Sequence, residues 1–451
     1  MKRRALAAMV AAILLLAGCK GKPSIKTERD KDLSTFIDEL DTLRKQEVEG
    51  APVDVSGMAQ DVSVYGDYSS MARWQSCGSR KSVLSAEEAR EDVTAVFDLL
   101  HDVYGGYHYF GGDEVFAPLR ETLLSQISDG EKYTARELKT FLRDTLSPVL
   151  QDGHFAIEGT LLLEERQRMF FVPGLYLDEI GDLDPTYVKR TIDPEGKLAY
   201  CFAALSKDGT DLPTSIGVYE DLAWMQAEDL RIEGEPAAYE KEERDGLTFL
   251  TCRTMGSRVQ KPLLEFSQSG GDYQELDAFV IDLRGNRGGS AYYWREWLAG
   301  FLGQKPQGRE TIAVRWPDTG GFYGCLGYLT PQTPGTYTVN SSDGRWNEND
   351  RTIFVLTDGQ TGSSAEWFVE YLHTLGHVVV VGSNTNGMML MGGNFTYYLP
   401  NSGLALYFGS GLQLFQDGEN LDGVGLQPDL WVDPARAADA VIALWKYGQD
   451  R

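Results

Sequence analysis

The chain has 451 residues, with 67 acidic against 42 basic side chains, a net charge of −25 and five cysteines. So acidic a surface repels nucleic acid and anionic lipid headgroups, which disfavours nucleic-acid and phosphate-binding roles. The cysteines show no metal-ligand spacing, so zinc is not expected and the composition asks for no cofactor.

Met1 to Cys19 begins with Lys2, Arg3 and Arg4, continues through the wholly apolar run Ala5 to Ala17, and ends in Leu16-Ala17-Gly18-Cys19. The run is too short to span a bilayer comfortably and reads as a secretory signal. Its ending resembles a bacterial lipobox, so Cys19 is the expected lipid-attachment residue and the first mature one. The expected location is extracytoplasmic, in a bacterial envelope, with the membrane held through that lipid. Removing the signal takes away three basic residues and leaves 39 basic against 67 acidic groups, a charge of −28. Cys77, Cys201, Cys252 and Cys325 remain; in an oxidising compartment they allow three pairings, with isolated buried thiols as the alternative.

Residues 20–81 are polar and weakly patterned and read as a tether, within which Leu33, Phe36, Ile37, Leu40 and Leu43 stripe a short amphipathic helix. A helical region follows over 82–158. Ser85-Ala86-Glu87-Glu88 is a capping box opening a helix with Ala89, Val93, Val96, Phe97 and Leu100 on one face. Thr134-Ala135-Arg136-Glu137 opens a second helix, carrying Leu138, Phe141, Leu142 and Leu146. The region ends in Asp152-Gly153-His154, a turn leading into a strand. Of the other four histidines, His101 is expected on the polar edge of the first helix and His108 in an aromatic, glycine-rich loop. His373 and His377 fall on and just past a later helix, away from its first turn. Residues 159–246 become strand-and-turn in character, with candidate strands at Phe170-Phe171-Val172, Leu198 to Phe202 and Ser215 to Tyr219.

From Leu247 to about residue 436 the alternation strengthens into a core, and residues 437–451 read as a final helix. Leu247 to Cys252 and Asp277 to Leu283 are strands. The second feeds Arg284-Gly285-Asn286-Arg287-Gly288-Gly289-Ser290 and a helix with Tyr293, Trp294, Trp297 and Leu298. A glycine-rich turn between strand and helix exposes consecutive N–H groups suited to an anion or oxyanion. It lacks the ending of a P-loop and the GxGxxG spacing, and a purely structural turn remains the alternative. Ile353 to Leu356 is a buried strand that turns sharply at Thr357-Asp358-Gly359-Gln360-Thr361-Gly362-Ser363 into a helix with Trp367, Phe368, Tyr371 and Leu372. Ser363 and Glu366 fit a capping box. Ser363 also sits where unpaired N–H groups favour a developing oxyanion, so it is the candidate nucleophile.

Four ordered motifs, DLRGNRGG (Asp282 to Gly289), TGSSAEWF (Thr361 to Phe368), GSNTNG (Gly382 to Gly387) and DGVGLQPD (Asp422 to Asp429), resemble the C-terminal-processing (tail-specific) serine peptidase family over roughly Leu247 to Asp433. The resemblance implies an α/β core of ClpP/crotonase-like type and an acyl-enzyme mechanism on Ser363. It implies oxyanion donors at the backbone N–H of Ser364 and of Gly288 or Gly289. One branch of the family takes a lysine base where this chain has Met388. The other branch, similar to the tricorn core peptidase, takes a histidine from an upstream DGH motif, matched by Asp152-Gly153-His154. In that branch an acid near the last motif orients the site; the matching position is Asp422, with Glu419 as a nearby substitute. A serine hydroxyl needs such a base to lose its proton as it attacks.

The function expected is a lipid-anchored envelope serine peptidase acting on peptides or unfolded protein tails. A catalytically silent binding protein on the same fold, and an esterase using the same site, are the competing readings.

Overall fold

The computed structural model describes residues 31–49, 51–68, 74–78, 80–216, 219–232, 237–256, 258, 260–308, 310–315, 333–415 and 418–449. The leader, Cys19 and Cys325 lie outside these residues. Cys77, Cys201 and Cys252 carry free thiols, the last two buried.

Helix α1 (Leu33–Val48) is the helix expected within the tether. It lies against the core, burying Leu33, Phe36 and Ile37 with the apolar face of the central sheet. Arg44 on its last turns donates to the Val378 carbonyl and to Asp429 Oδ2. Strand β1 (Val83–Ser85) leads into α2 (Ala86–Asp102), whose capping box between Ser85 and Glu88 is formed as expected. A further helix, α3 (Gly112–Ser125), follows the glycine-rich loop. Strand β2 (Lys132–Thr134) pairs with β1 and leads into α4 (Ala135–Leu146), opened by the Thr134–Glu137 box. His101 departs from its expected polar edge: it is 4% exposed, its Nδ1 lies 2.6 Å from Asp102 Oδ1, and its ring stacks on Tyr65. An aromatic lid and a carboxylate partner make burial of that imidazole tolerable.

The DGH turn leads into β3 (Ala156–Ile157), which pairs with β4 (Thr160–Leu161) across the boundary expected at 158. The middle region contributes β5 (Arg168–Phe171), β6 (Val188–Ile192), β7 (Leu198–Ser206) and β8 (Met225–Gln226), a four-stranded sheet in the order β6-β7-β5-β8. Within the candidate strand Ser215 to Tyr219, residues 217–218 lie outside the described residues, and Ile216 and Tyr219 form an isolated bridge.

The core is built on β9 (Tyr239–Arg244), β10 (Leu247–Cys252), α5 (Gln260–Gln268), β11 (Ala278–Asp282) and α6 (Tyr292–Leu302). It continues through β12 (Glu310–Arg315), β13 (Tyr337–Ser341), β14 (Thr352–Thr357), α7 (Ser364–Leu372) and β15 (Val378–Gly382). The last elements are β16 (Met391–Tyr398), β17 (Ala405–Phe415), β18 (Leu430–Trp431) and α8 (Ala437–Gln449). The central sheet runs β18-β15-β14-β11-β10-β9, parallel except for the antiparallel edge strand β9. Both faces are covered, so β11, β14 and β15 are buried along their whole length, as a parallel sheet demands. Helices α5, α6 and α7 cover one face with a cluster of aromatic rings from Phe266, Trp294, Trp297 and Phe368. Helices α1 and α8 cover the other.

A second sheet, β13-β12-β17-β3-β4 with β16 also on β17, brings the helical region and the core together. Leu406, Phe408 and Leu412 of β17 share one apolar cluster with Leu99, Leu100 and Leu142. That sheet carries β3, and hence His154, up to the carboxyl end of β14.

Candidate active site

Two loops leave neighbouring parallel strands at the same end and are stitched together. After β14, the Asp358 carboxylate accepts from the N–H groups of Gly285 (2.9 Å), Gln360 (3.1 Å) and Thr361 (3.0 Å), tying its own turn to the glycine turn after β11. Thr361 Oγ1 donates to the Leu283 carbonyl at 3.0 Å, and Gly362 N–H to the Asn286 carbonyl at 2.8 Å. The glycine turn is anchored from beneath by Asp282, which takes ion pairs from Arg284 (2.6 Å) and Arg253 (2.7 Å). Burial alone would raise the Asp282 carboxyl, but the two guanidinium groups outweigh it and hold it below the usual range.

This stitching forces Ser363 into φ +57°, ψ −123°, a conformation that a side chain other than glycine's rarely adopts. Such a backbone costs on the order of 1–3 kcal/mol and persists only where the surroundings over-determine it. Part of that determination comes from Glu366, one turn into α7. Its Oε2 accepts from Ser363 N–H (2.7 Å) and Met388 N–H (2.9 Å), and its Oε1 from Thr385 Oγ1 (2.6 Å) and Gly387 N–H (2.7 Å). Burial pushes this carboxyl up to about 7 despite the four donors. Glu366 therefore does more than the capping box asks, because it locks the third motif against the start of α7.

The Ser363 hydroxyl lies 3.0 Å from His154 Nε2. Residues 209 positions apart in sequence thus meet within hydrogen-bond reach, the geometry a general base requires. Burial, and secondarily the Arg166 guanidinium, push the imidazole down to about 4, so at neutral pH it is uncharged and able to take a proton. Its backbone is fixed from behind: Asp152 Oδ1 accepts the His154 N–H at 2.7 Å, and the buried Tyr104 hydroxyl donates to Asp152 Oδ2 at 2.9 Å. Gly153 passes so close to the third and fourth motifs that a Cβ there would meet the Gly387 carbonyl at 2.9 Å and Asp422 Oδ2 at 3.2 Å.

Asp422 is at this junction, but it does not touch the ring. Its carboxylate accepts from the N–H groups of Gly153 (2.7 Å), Met389 (2.6 Å) and Leu390 (3.1 Å), so it clamps the DGH turn to the segment after Met388. His154 Nδ1 is buried with no hydrogen-bond partner among the described residues, so the direct acid–imidazole contact expected of Asp422 is not formed. Glu419 is exposed and lines a separate small cavity beside Trp367 and Glu370. Burial raises the carboxyls of both Asp152 and Asp422 above the carboxylate range, and the charge of Asp422 adds to the rise at Asp152.

The donors expected for an oxyanion separate on inspection. Gly288 N–H is taken by Asn286 Oδ1 at 2.9 Å. The N–H groups of Gly289 and Ser364 donate to nothing among the described residues. Gly288, at φ +84°, instead supplies closeness: a Cβ there would meet Ser364 N and the Gly362 carbonyl at 2.7 Å and Ser363 Cβ at 2.8 Å. These groups face a cleft of about 580 Å³, whose walls include Met388, Met391, Phe395 and Arg287. That volume lies within the usual range of ligand-binding clefts.

Asp152, Tyr104 and Asn286 were not singled out by sequence reasoning. Asp152 was visible as part of the DGH turn, whereas nothing local to Tyr104 marks it. Among the described residues no cluster of histidine, cysteine or carboxylate side chains is arranged to hold a metal.

Residues 247–432 match the model of peptidase family S41. The match begins with β10 and ends just past β18, so it covers the five parallel strands of the central sheet, including those that carry Ser363 and the glycine turn, but not the edge strand β9. Over those residues the chain is similar to the serine-type peptidases of that family, and its core has the expected α/β ClpP-like architecture. No curated protein matches the chain. Among solved structures, mature CPAF is similar with 12% identity over 81% of this chain and 96% of its own, at a TM-score of 0.43. The photosystem II D1 C-terminal processing protease is 14% identical over 77% of this chain and 93% of its own, at 0.40. The tricorn protease is 14% identical over 81% of this chain and 37% of its own, at 0.37. The family-model match, which covers less than half of the chain, rather than these distant likenesses, carries the serine-peptidase reading.

Proposed function

We propose that the protein is a lipid-anchored peptidase of the bacterial envelope that hydrolyses peptides or unfolded protein tails through an acyl-enzyme on Ser363, with His154 as general base. The observation that carries the reading is the 3.0 Å contact between His154 Nε2 and Ser363 Oγ, at the foot of the cleft. In the proposed sequence, Ser363 Oγ attacks the scissile carbonyl as His154 Nε2 takes its proton. The oxyanion that forms is held by the N–H groups of Ser364 and Gly289, and the start of α7 adds its positive end. His154 then passes the proton to the leaving amine, and a water, deprotonated by the same imidazole, releases the acyl group. Met388, where one branch of the family has lysine, cannot accept a proton, which favours histidine as the base. Asp422 and Asp152 act as positioning residues through the backbone on either side of His154.

The anchor rests on the basic start, the apolar run and the Leu16-Ala17-Gly18-Cys19 ending. Among the described residues no helix is long and apolar enough to cross a membrane. Incorporation of labelled palmitate by the full-length chain, lost in Cys19→Ser, supports the anchor; equal incorporation by the variant contradicts it. For the reaction, wild-type protein is expected to cleave an unfolded protein substrate, with loss of cleavage in Ser363→Ala. Rapid turnover of simple esters with no cleavage of any peptide would instead favour the esterase reading.

A further inference from the structure

Beside the cleft, and sharing Trp367 and Gln413 with it, is a smaller cavity of about 110 Å³ between α7 and the end of β17. Its floor is unusual. Glu370, one turn beyond Trp367 on the helix that begins at Ser363, is 5% exposed, and its Oε2 is buried without a hydrogen-bond partner. A carboxyl so placed gives up hydration, and the Coulombic pull of Arg44 does not make up for it, an arrangement that costs stability unless something fills it. Burial pushes Glu370 up to about 8; Glu47 and Glu366 push it the same way, and Arg44 opposes them. With the cavity empty at neutral pH the group is therefore largely protonated. A second carboxylate, Glu419, stands at the exposed side of the same cavity. The remaining walls include Trp367 and Phe415, whose rings meet edge to face with centroids 5.7 Å apart. The Trp367 indole is held in place by its N–H, which donates to the Met389 carbonyl at 3.2 Å.

Two carboxyl groups and two aromatic rings around a space the size of one side chain suit an alkylammonium ion, which gains from ion pairing and from aromatic faces together. A guanidinium is broader and planar, whereas an ammonium on a straight stem is compact. We propose that this cavity is a subsite for the ammonium group of a substrate lysine, with Glu370 and Glu419 as its partners and Trp367 and Phe415 as its walls. The proposal rests on the peptidase reading, since the peptide in the cleft delivers the lysine. As the ammonium enters, Glu370 releases its proton to solvent, converting a buried unpaired acid into a buried ion pair.

The test is a peptide series in which lysine or its uncharged analogue norleucine is placed at each position around the scissile bond. For wild-type protein, at one position kcat/KM is expected to be at least about 10-fold higher for lysine. In Glu370→Gln that ratio is expected to fall to below about 3, and n-butylammonium chloride should inhibit cleavage of the lysine peptide more strongly in wild type than in the variant. Glu419→Gln, at an exposed position, reads the same ratio independently should Glu370→Gln misfold, and is expected to lower it. Absence of a lysine preference at every position, or a ratio unchanged in both variants, overturns the subsite. Labelling of Ser363 by a fluorophosphonate separates the two failures. Labelling without a lysine preference overturns the subsite alone, whereas no labelling and no peptide cleavage overturn the peptidase reading with it.

Discussion

Ser363 and His154 are each poor reagents alone, and their value comes from where the backbone puts them. Deleting the imidazole removes the base but leaves the N–H donors, so His154→Ala is expected to lower kcat/KM by about 10²–10⁴-fold without abolishing fluorophosphonate binding outright. The state of that imidazole also sets the acid limb of activity. Burial lowers it from 6.5 to about 4 in the folded protein, and only the neutral form can accept the serine proton. Activity should therefore persist as pH falls through 6 and decline near pH 4, as read from kcat/KM against pH; an acid limb near 6.5 would mean the ring is solvated in solution. The same shift has a stability cost of defined sign. Below pH 6.5 the unfolded chain takes up a proton that the folded one refuses, so this group withdraws stability progressively as pH falls from 6.5 towards 4. Gly288 tests the oxyanion side. In Gly288→Ala the new Cβ would lie 2.7 Å from Ser364 N, so peptide cleavage is expected to be lost while far-ultraviolet circular dichroism stays that of wild type.

The elements explain why these residues meet. Parallel strands β11 and β14 end together, so the two loops that carry the glycine turn and Ser363 are neighbours by topology. His154 arrives by a different route, on β3, and is fastened by the Asp422 carboxylate to the segment after Met388. Asp422→Ala would leave three buried N–H groups without an acceptor and is expected to cost at least about 3 kcal/mol of unfolding free energy, measured by urea titration. Asp422→Asn keeps one acceptor oxygen and should fall between the two. Helix α1 is fixed in the same manner. The Arg44 guanidinium pairs with Asp429 at 2.6 Å and also caps the Val378 carbonyl, so removing it leaves the part-buried Asp429 carboxylate, which also accepts the Val380 N–H, without its counter-charge. Arg44→Met is expected to lower stability by about 3 kcal/mol with little change in kcat.

At this scale the sequence was readable where one residue pattern had one physical cause. The capping boxes at Ser85 and Thr134 start the helices they mark, and the apolar runs at Phe279 and Ile353 are buried strands. Helix α3 escaped because it begins at Gly111 and Gly112, both at positive φ, and holds Pro118 in its interior. Each is a breaker when read locally, and only packing of Phe116 and Leu123 into the core overrides them. His101 was misread because a polar residue on a helix edge is ordinarily solvated. The Tyr65 ring and Asp102 that make its burial possible cannot be anticipated from the helix pattern. The same holds for Tyr104, whose hydrogen bond to Asp152 spans 48 residues, and for Asp422, whose role as a clamp rather than a ring partner depends on loop geometry.

On the scale of the whole molecule, the helical region is not an appendage. It supplies His154, and its residues share a single apolar cluster with β17, so neither part has a complete core without the other. A fragment beginning at Leu247, which contains the entire family match, is therefore expected to be unfolded or aggregated, as read by gel filtration and circular dichroism. Its recovery as a folded monomer would show that the second sheet closes without β3. The acidic charge of the whole chain bears on solubility and on what approaches the cleft. It favours basic substrates over acidic ones in general, a screened, long-range effect distinct from any single pocket. Of this organisation the motifs marked the parallel strands of the central sheet, because those depend on strand–turn–helix units. The second sheet was not legible, since β3 has two residues and its partner β17 is 249 positions further on, from Ala156 to Ala405.

The account stands on Ser363 being the residue that forms the covalent bond. The most direct measurement is intact-mass and peptide-mapping analysis of the protein after reaction with a fluorophosphonate. One adduct, on Ser363, absent in Ser363→Ala and slowed in His154→Ala, is predicted. An adduct on another residue, or labelling that survives Ser363→Ala, would contradict it.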